Sequence, residues 1–263
     1  MLILIEPSDH HVFMERLDQM FRQRARVFNG RLGWDVTIDN GRERDQYDAF
    51  NPTYMLYYSP DGMLRGSVRF LPMTGPNMLR DTFPQLLDGA ICPESSIYFE
   101  SSRFAVETEG DEKVTRLLSR GCVELFLGGI EYGLAHGKTE LITVTDVFIE
   151  RLFKHAGWDS ERIGDEHKIG NSRAVAVRLP ISTEYLHSIR KKNNIHEPVL
   201  WTRPVGAHNV MTESSVDEQI RGIYASLEYL RGQAKSVGMS DIANQIGSIE
   251  KAITKEVLEH GRA

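Results

Sequence analysis

The chain is poor in cysteine: Cys92 and Cys122 are its only two, and they lie far apart. With no Cys-x-x-Cys pair, neither a zinc site nor a disulfide framework is suggested, and no metal or cofactor is expected. Long apolar runs are lacking too. No stretch approaches the roughly 18–20 apolar residues of a membrane span. The run Met1-Leu-Ile-Leu-Ile-Glu-Pro7 is too short for a signal peptide and lacks its basic flank, so an opening or edge strand is expected. A basic excess is missing as well. Lys and Arg number 31 against 37 Asp and Glu, a formal net charge of −6, which argues against a general nucleic-acid binder. What remains is a soluble globular chain, expected in the cytoplasm, with 41% hydrophobic and 26% charged residues. Its 263 residues suffice for one sizeable core plus an appendage.

Periodicity organises the chain. Phe13, Leu17, Met20, Phe21, Val27 and Phe28 recur with a helical period over 11–28. Arg24 falls on that same stripe, where it either snorkels out from the helix end or meets a carboxylate. Residues 29–52 are rich in charge and in Asn-Gly signals and predict a long loop or lid. Tyr54–Tyr58 and Leu64–Leu71 flank Ser59-Pro-Asp-Gly62 and predict a hairpin. A short helix is expected at 81–88, a strand over Ser96–Val106, and the strongest helix over 112–136, stopped by Gly137. Glu140–Thr145 predicts a strand, Val147–Ala156 a helix closed by Gly157, Ala174–Leu179 a strand and Thr183–Lys192 a helix. Strands followed by alternating helix and strand predict an α/β domain over residues 1–212, three layers α/β/α around a central mixed twisted sheet.

Residues 213–263 read differently. Ser215-Val-Asp-Glu218 is a capping-box pattern ahead of Ile220, Ile223, Leu227, Leu230, Ala234 and Val237. After Gly238 a second stripe carries Ile242, Ile246, Ile249, Ile253 and Val257. This predicts a C-terminal helical hairpin whose apolar stripes pack on each other, on the main domain or on a second copy, as in a homodimer.

Polar residues set against strong apolar neighbours mark the candidate site. Asp45 and Asp48 lie in the lid, Arg69 in the strand Gly66-Ser-Val-Arg-Phe-Leu71, and Glu100 and Arg103 in Tyr98-Phe-Glu-Ser-Ser-Arg-Phe104. Each alone could be a solvated charge or a local ion pair of small worth. The last pair is more informative. Residues three apart in a regular strand point to opposite faces, so a shared site requires the strand to bulge or end between Glu100 and Arg103, and bulges gather at active sites.

The run Arg24…Phe28…Trp34, Arg44-Asp45-x-x-Asp48, Arg69 in Gly-x-x-Arg, and Glu100-x-x-Arg103 resembles the signature of LuxI-type acyl-homoserine-lactone synthases. Pro72-Met-Thr-Gly-Pro-x-x-Leu79, Phe83-Pro84, Thr143-Val-Thr145 and Gly157-Trp158 look like the same family, and the resemblance covers residues 1–205. It implies a fold similar to GCN5-related N-acyltransferases. It also implies a reaction in which the amine of S-adenosylmethionine, a substrate and not a cofactor, attacks an acyl thioester on acyl carrier protein or coenzyme A. Lactonisation then releases methylthioadenosine.

The residue types suit that chemistry. An ammonium must lose a proton before it attacks, and Glu100 is the candidate base, with burial and Arg103 pulling its pKa in opposite directions. Backbone donors around Arg103–Phe104 could stabilise the tetrahedral oxygen. The resemblance places Arg24, Phe28, Trp34, Asp45, Asp48, Arg69 and Arg103 at or around S-adenosylmethionine. Phe28 and Trp34 would offer stacking surfaces, and the aspartates would pair with the arginines and knit lid to sheet. The resemblance assigns Thr143 to bonding a 3-substituent of the acyl chain. Phe126, Phe148, Leu152 and Phe153 are either acyl lining or ordinary core. Arg151 and Lys154, three apart on one helix, are either a landing site for an acidic carrier or a solvated face; Arg190-Lys191-Lys192 follows nearby. Two other readings stay open: a GCN5-related acyltransferase acting on a different amine, and a non-catalytic protein that works through its helical tail. Against the first, Arg120-Gly-Cys-Val-Glu124 does not match the pyrophosphate loop of that class.

Overall fold

Alternation along the strands decides which side of the sheet each helix covers. The structure, a computed structural model, describes residues 2–107, 118–170, 172–201 and 238–260, together with Leu227, Arg231, Ala234 and Lys235. Strand β1 (Leu2–Ile5) leads through a 3-10 turn to helix α1 (Met14–Arg24). A widened π-helical turn, Ala25–Arg31, extends α1. The small hairpin β2 (Ile38–Asp39) and β3 (Arg42–Glu43) and a 3-10 turn (Gln46–Phe50) follow. Then come β4 (Thr53–Tyr58), β5 (Leu64–Pro72), the short helix α2 (Met78–Asp81) and β6 (Tyr98–Val106). After α3 (Arg120–Ala135) lie β7 (Glu140–Asp146), α4 (Val147–Ala156), β8 (Glu161–Arg162), β9 (His167–Ile169), β10 (Ser172–Pro180), α5 (Thr183–Asn193) and β11 (Leu200–Trp201).

The main sheet runs β11-β1-β4-β5-β6-β7-β10-β8, with β9 also on β10. It is mixed: β11 is parallel to β1 and β7 parallel to β6, while the other pairs are antiparallel. Met55, Val68, Phe70, Phe99, Leu141, Val175 and Val177 point to one face and pack under α3, α4 and α5. Their neighbours Tyr54, Leu56 and Leu64 point to the other, under Leu17, Met20 and Phe21 of α1. Ile142, Ala174 and Ala176 share that second face with Met73, Leu79, Leu86 and Leu87 of the 73–87 segment. Three layers α/β/α result, as the strand–helix alternation predicts. At about 1.5–3 kcal/mol per buried aliphatic side chain, these two faces fix the sheet and hence the site carried on it.

Several boundaries differ from the sequence reading, each for a local reason. The 29–52 segment is ordered structure: Asn40 and Gly41 adopt left-handed φ of 49° and 77°, the turn of a tight hairpin. Helix α3 starts at Arg120, where the Ser119 side chain accepts from the Cys122 N–H; residues 108–117, part of the helix expected over 112–136, lie outside the described residues. Short strands β8, β9 and β11 carry too few residues for a periodic signal. Glu131 of α3 holds β11 in place by accepting the backbone N–H groups of Val199 and Leu200 and a bond from Arg190.

The chain divides into two compact units, Met1–Thr202 and Arg203–Ala263. In the second, helix α6 spans Ser240–His260, Ala243 is buried, and Arg231 pairs with Glu250 at 2.6 Å. The capping box at 215–218 and, of the first tail stripe, Ile220, Ile223, Leu230 and Val237 lie outside the described residues. Among the described residues no helix is long and apolar enough to cross a membrane.

Candidate active site

Helix α1 delivers Arg24 to the sheet face that α1 itself covers. The side chain is 1% exposed and is met by two carboxylates: Nε donates to Glu43 at 2.5 Å, and both terminal nitrogens donate to Asp48 at 2.9 Å. Asp45 and Asp48 are three apart because they cap one turn. The Tyr47 N–H donates to the Asp45 side chain, and the Asp45 N–H to the Asp48 side chain, both at 2.9 Å. Their remaining oxygens receive Arg69 from β5, at 2.5 and 2.9 Å on Asp45 and 2.8 Å on Asp48. Arg103 of β6 donates to Glu43 and Asp45 at 3.0 and 2.9 Å. Three arginines and three carboxylates thus form a closed, nearly dry network. Tyr54 adds a hydroxyl donated to Asp48 at 2.8 Å, and Ser102 accepts from Arg69 at 3.1 Å.

Burial alone would lower the Arg24 pKa and raise that of Asp48. Mutual attraction, with Glu43 and Arg69 contributing, outweighs it and pushes both the other way, so both stay charged. Desolvation, with Asp48 beside it, keeps the Tyr54 hydroxyl protonated.

A β-bulge brings Arg103 into this ring. Arg69 pairs with Ser102 and Ser67 with Ala105, so Val68 alone opposes both Arg103 and Phe104. Arg103 takes a left-handed φ of 53°, strain of about 1–3 kcal/mol for a side chain of this kind. The bulge turns Arg103 to the face of Glu100 and Ser102. Its guanidinium lies 5.4 Å from the Phe28 ring, and Phe28 stacks on Trp34 at 5.2 Å. The Trp34 indole N–H is buried without a hydrogen-bond partner among the described residues.

Glu100 sits beside the ring, not in it. It is fully buried, and its two oxygens accept the N–H groups of Met78 and Leu79 at 2.9 and 2.8 Å. The Met78 sulfur lies 3.3 Å from Arg69, linking the two groups. Desolvation raises the Glu100 pKa to about 7, although the two amides and Arg69 pull it down.

On the opposite sheet face an apolar cavity of about 20 Å³ lies between the strands and α3 and α4. Thr143, Phe126 and Phe153 line it, together with Phe104, Thr145 and Ile149. Phe148 and Leu152 do not. They stand one position from Ile149 and Phe153, so the helical period turns them away: Leu152 into the core, Phe148 outward at 41% exposure. β6 and β7 pair from Tyr98–Glu140 to Ser101–Thr143 and then part. The last rung is closed by the Thr143 hydroxyl, which donates to the Ser101 carbonyl at 2.9 Å. Beyond that rung Ser102 and Arg103 belong to the ion network on one face, and Phe104 and Thr145 line the cavity on the other. A larger polar cavity of about 630 Å³ lies along α4, lined by Arg151, Lys154, Phe148, Arg162 and Arg173 among others. Arg162 pairs with Glu150 and Arg173 with Glu166, whereas Arg151 and Lys154 are exposed with no carboxylate partner among the described residues.

Sequence reasoning missed Glu43, Tyr54 and Ser102. Glu43 had a signal in the charge alternation Arg42-Glu43-Arg44-Asp45. Tyr54 and Ser102 read as plain strand residues.

The family model described as autoinducer synthase matches residues 10–189. An acyl-homoserine-lactone synthase of Agrobacterium fabrum (strain C58) is 44% identical over 180 residues, covering 68% of this chain and 85% of the relative. The crystal structure of the acyl-homoserine-lactone synthase LasI is 37% identical, with a TM-score of 0.59 over 68% of this chain and 89% of that one. A coenzyme-A-dependent synthase, BjaI, solved with S-adenosylmethionine and isopentyl-coenzyme A, is 22% identical with a TM-score of 0.67 over 78% and 93%, a likeness of fold.

The Glu100 geometry has a consequence for stability. Between pH 4.5 and about 7 the folded chain keeps a proton on Glu100 that the unfolded chain has lost. Its contribution is therefore whole below pH 4.5 and lost as pH rises through about 7, an effect of about 3 kcal/mol. Urea unfolding of wild type and Glu100→Gln from pH 4.5 to 8 should show this fall in wild type and a flatter profile in the variant. Parallel profiles would contradict it.

Proposed function

The chain belongs to the autoinducer synthase family and is an acyl-homoserine-lactone synthase, and from that premise we propose how its residues divide the work. One observation carries the proposal: a charged network on one sheet face and an apolar cavity on the other meet where β6 leaves β7. S-adenosylmethionine takes the charged face and the acyl thioester the cavity, so amine and thioester carbon meet in the gap. The arginines and carboxylates of the ring balance, and an ionised Glu100 adds one negative charge. S-adenosylmethionine, with sulfonium, ammonium and carboxylate, carries one positive charge, which favours that ionised form. The Phe28–Trp34 stack offers its aromatic surface to the adenine, and Trp34 an unused donor. S-adenosylmethionine is consumed as a substrate.

Glu100 takes the ammonium proton, through a water or after Met78 and Leu79 release it. The nitrogen pair then forms the bond to the thioester carbon, and backbone donors around Arg103–Phe104 hold the resulting oxyanion. Collapse breaks the carbon–sulfur bond, the leaving thiolate takes up a second proton from the attacking nitrogen, and Glu100 passes the first to solvent. The substrate carboxylate next attacks its own γ-carbon. The sulfonium–carbon bond breaks with its electron pair on sulfur, giving lactone and methylthioadenosine. Effective concentration is the main requirement of that step.

The donor is a carrier-bound acyl chain, because Arg151 and Lys154 leave two unpaired cations beside the 630 Å³ groove for an acidic protein. The Thr143 hydroxyl has its proton on Ser101, so its oxygen is free to accept from a 3-hydroxyl. The protein works in the cytoplasm, where both substrates are made. Unit Arg203–Ala263 pairs two copies through the tail, where Ile242 and Ile249, one heptad apart, are each nearly half exposed.

Purified protein given S-adenosylmethionine and a panel of acyl thioesters should release methylthioadenosine and acyl-homoserine lactone. Glu100→Gln should lose more than 90% of turnover while still binding S-adenosylmethionine, because a positioned general base contributes about 10²–10⁴-fold; no release with any donor sinks the assignment. Reversing Arg151 and Lys154 to Glu should raise KM at least about tenfold for carrier-bound acyl groups and leave coenzyme A thioesters unaffected. Equal effects on both donors would remove the docking role. Deleting 213–263 should halve the sedimenting mass and leave turnover intact, whereas an unchanged mass would exclude the tail as the dimer contact.

A further inference from the structure

Helix α3 carries four glycines, Gly121, Gly128, Gly129 and Gly133, although each destabilises a helix relative to alanine. Three have a steric reason. A Cβ on Gly121 would run into the Tyr57 ring. On Gly128 it would come within 2.6 Å of Leu2 and 2.7 Å of Met55, and on Gly133 within 3.0 Å of Ile181 and 3.2 Å of Phe99. Gly129 has none. Its nearest neighbours would be Leu141 at 3.6 Å and Phe70 at 3.9 Å, ordinary van der Waals distances. It is also the one of the four that lines the apolar cavity.

The cavity has a direction. Phe104 and Thr145 flank the gap between β6 and β7, and Leu141 lies four residues further back along β7, about 13 Å at strand rise. Gly129, Leu141 and Phe70 therefore make its far end. At about 20 Å³ the cavity holds little more than one water, so an acyl chain enters by parting the wall, and each atom of wall counts.

We propose that Gly129 is a specificity-determining residue: it keeps the far end of the cavity open and so sets the longest acyl chain the enzyme loads. The inference rests on the acyl chain occupying this cavity, as proposed above. One methylene in an apolar pocket changes discrimination by about ten- to two-hundred-fold, the scale on which a single Cβ should act here.

The test compares wild type, Gly129→Ala and Gly133→Ala on straight-chain acyl thioesters of increasing length, with Tm for each. Gly129→Ala should keep or raise Tm, because it gains helix propensity without a clash. Its kcat/KM should fall at least about tenfold for the longest chains wild type uses and stay within about twofold for shorter ones. Gly133→Ala should lower Tm and leave the length profile alone. A folded Gly129→Ala with the wild-type length limit overturns the inference. Lactone formation by wild type with no chain at all overturns the acyl reading beneath it, and that failure shows in the wild-type arm alone.

Discussion

Everything around the site depends on one constraint: six charged side chains have left water together. Arg24, Arg69 and Glu43 are at most 1% exposed, and Asp48, Arg103 and Asp45 are 6%, 10% and 16% exposed. Such a network survives only if every charge is answered. Removing one partner from a buried pair costs about 3–5 kcal/mol, because the other is left uncompensated. Here each arginine touches two carboxylates and each carboxylate two arginines, so the ring ties α1, β3, the Gln46–Phe50 turn, β5 and β6 into one object. A segment that reads as a loose lid is held because its acids are the other half of the sheet's bases.

The ring closes only because β6 breaks its own regularity. A straight strand would send Arg103 to the side of Ser101, beneath α3 and away from the three carboxylates of the ring. The bulge reverses it. Past Ser101 the same strand has also parted from β7, so the strain at Arg103 and the end of that pairing occupy one stretch of chain. Substrates of opposite character can then approach from opposite faces, the charged one from the ring and the apolar one from beneath α3.

Much of this was legible in the sequence. Helix and strand periods gave the three layers, and the spacing of Glu100 and Arg103 required their strand to bulge or end between them for the two to share a site; the structure has the bulge. The charge on the α1 stripe left two readings open, a snorkelling side chain or one met by a carboxylate, and the structure supplies two carboxylates. What was hidden depends on register. Of the four side chains read as acyl lining or core, Phe126 and Phe153 line the cavity, whereas Ile149 lines it in place of Phe148 and Leu152 turns into the core, differences of one position that apolar composition cannot resolve. Glu43 was passed over because an acid in a charge-rich loop is usually solvated. Tyr54 was passed over because a tyrosine in a strand has no sequence mark for where its hydroxyl goes. The Asn40-Gly41 hairpin was visible in principle, since that dipeptide is the strongest short-range turn signal.

The departures from ordinary folding rules converge on a few residues. Arg103 adopts a backbone region that side chains avoid, Glu100 is buried with its acidity displaced to about 7, and Gly129 leaves a helix with neither Cβ nor clash to justify its absence. A sequence free to maximise stability would relieve each of these: a regular strand, an amide or apolar group for the acid, an alanine for the glycine. They gather around one gap, on its two faces and at its rim. Strained backbone there aims a cation, a desolvated acid can exchange a proton near neutrality, and a bare helix face leaves room. Each departure gives up some stability to do what the ordinary residue at that position could not.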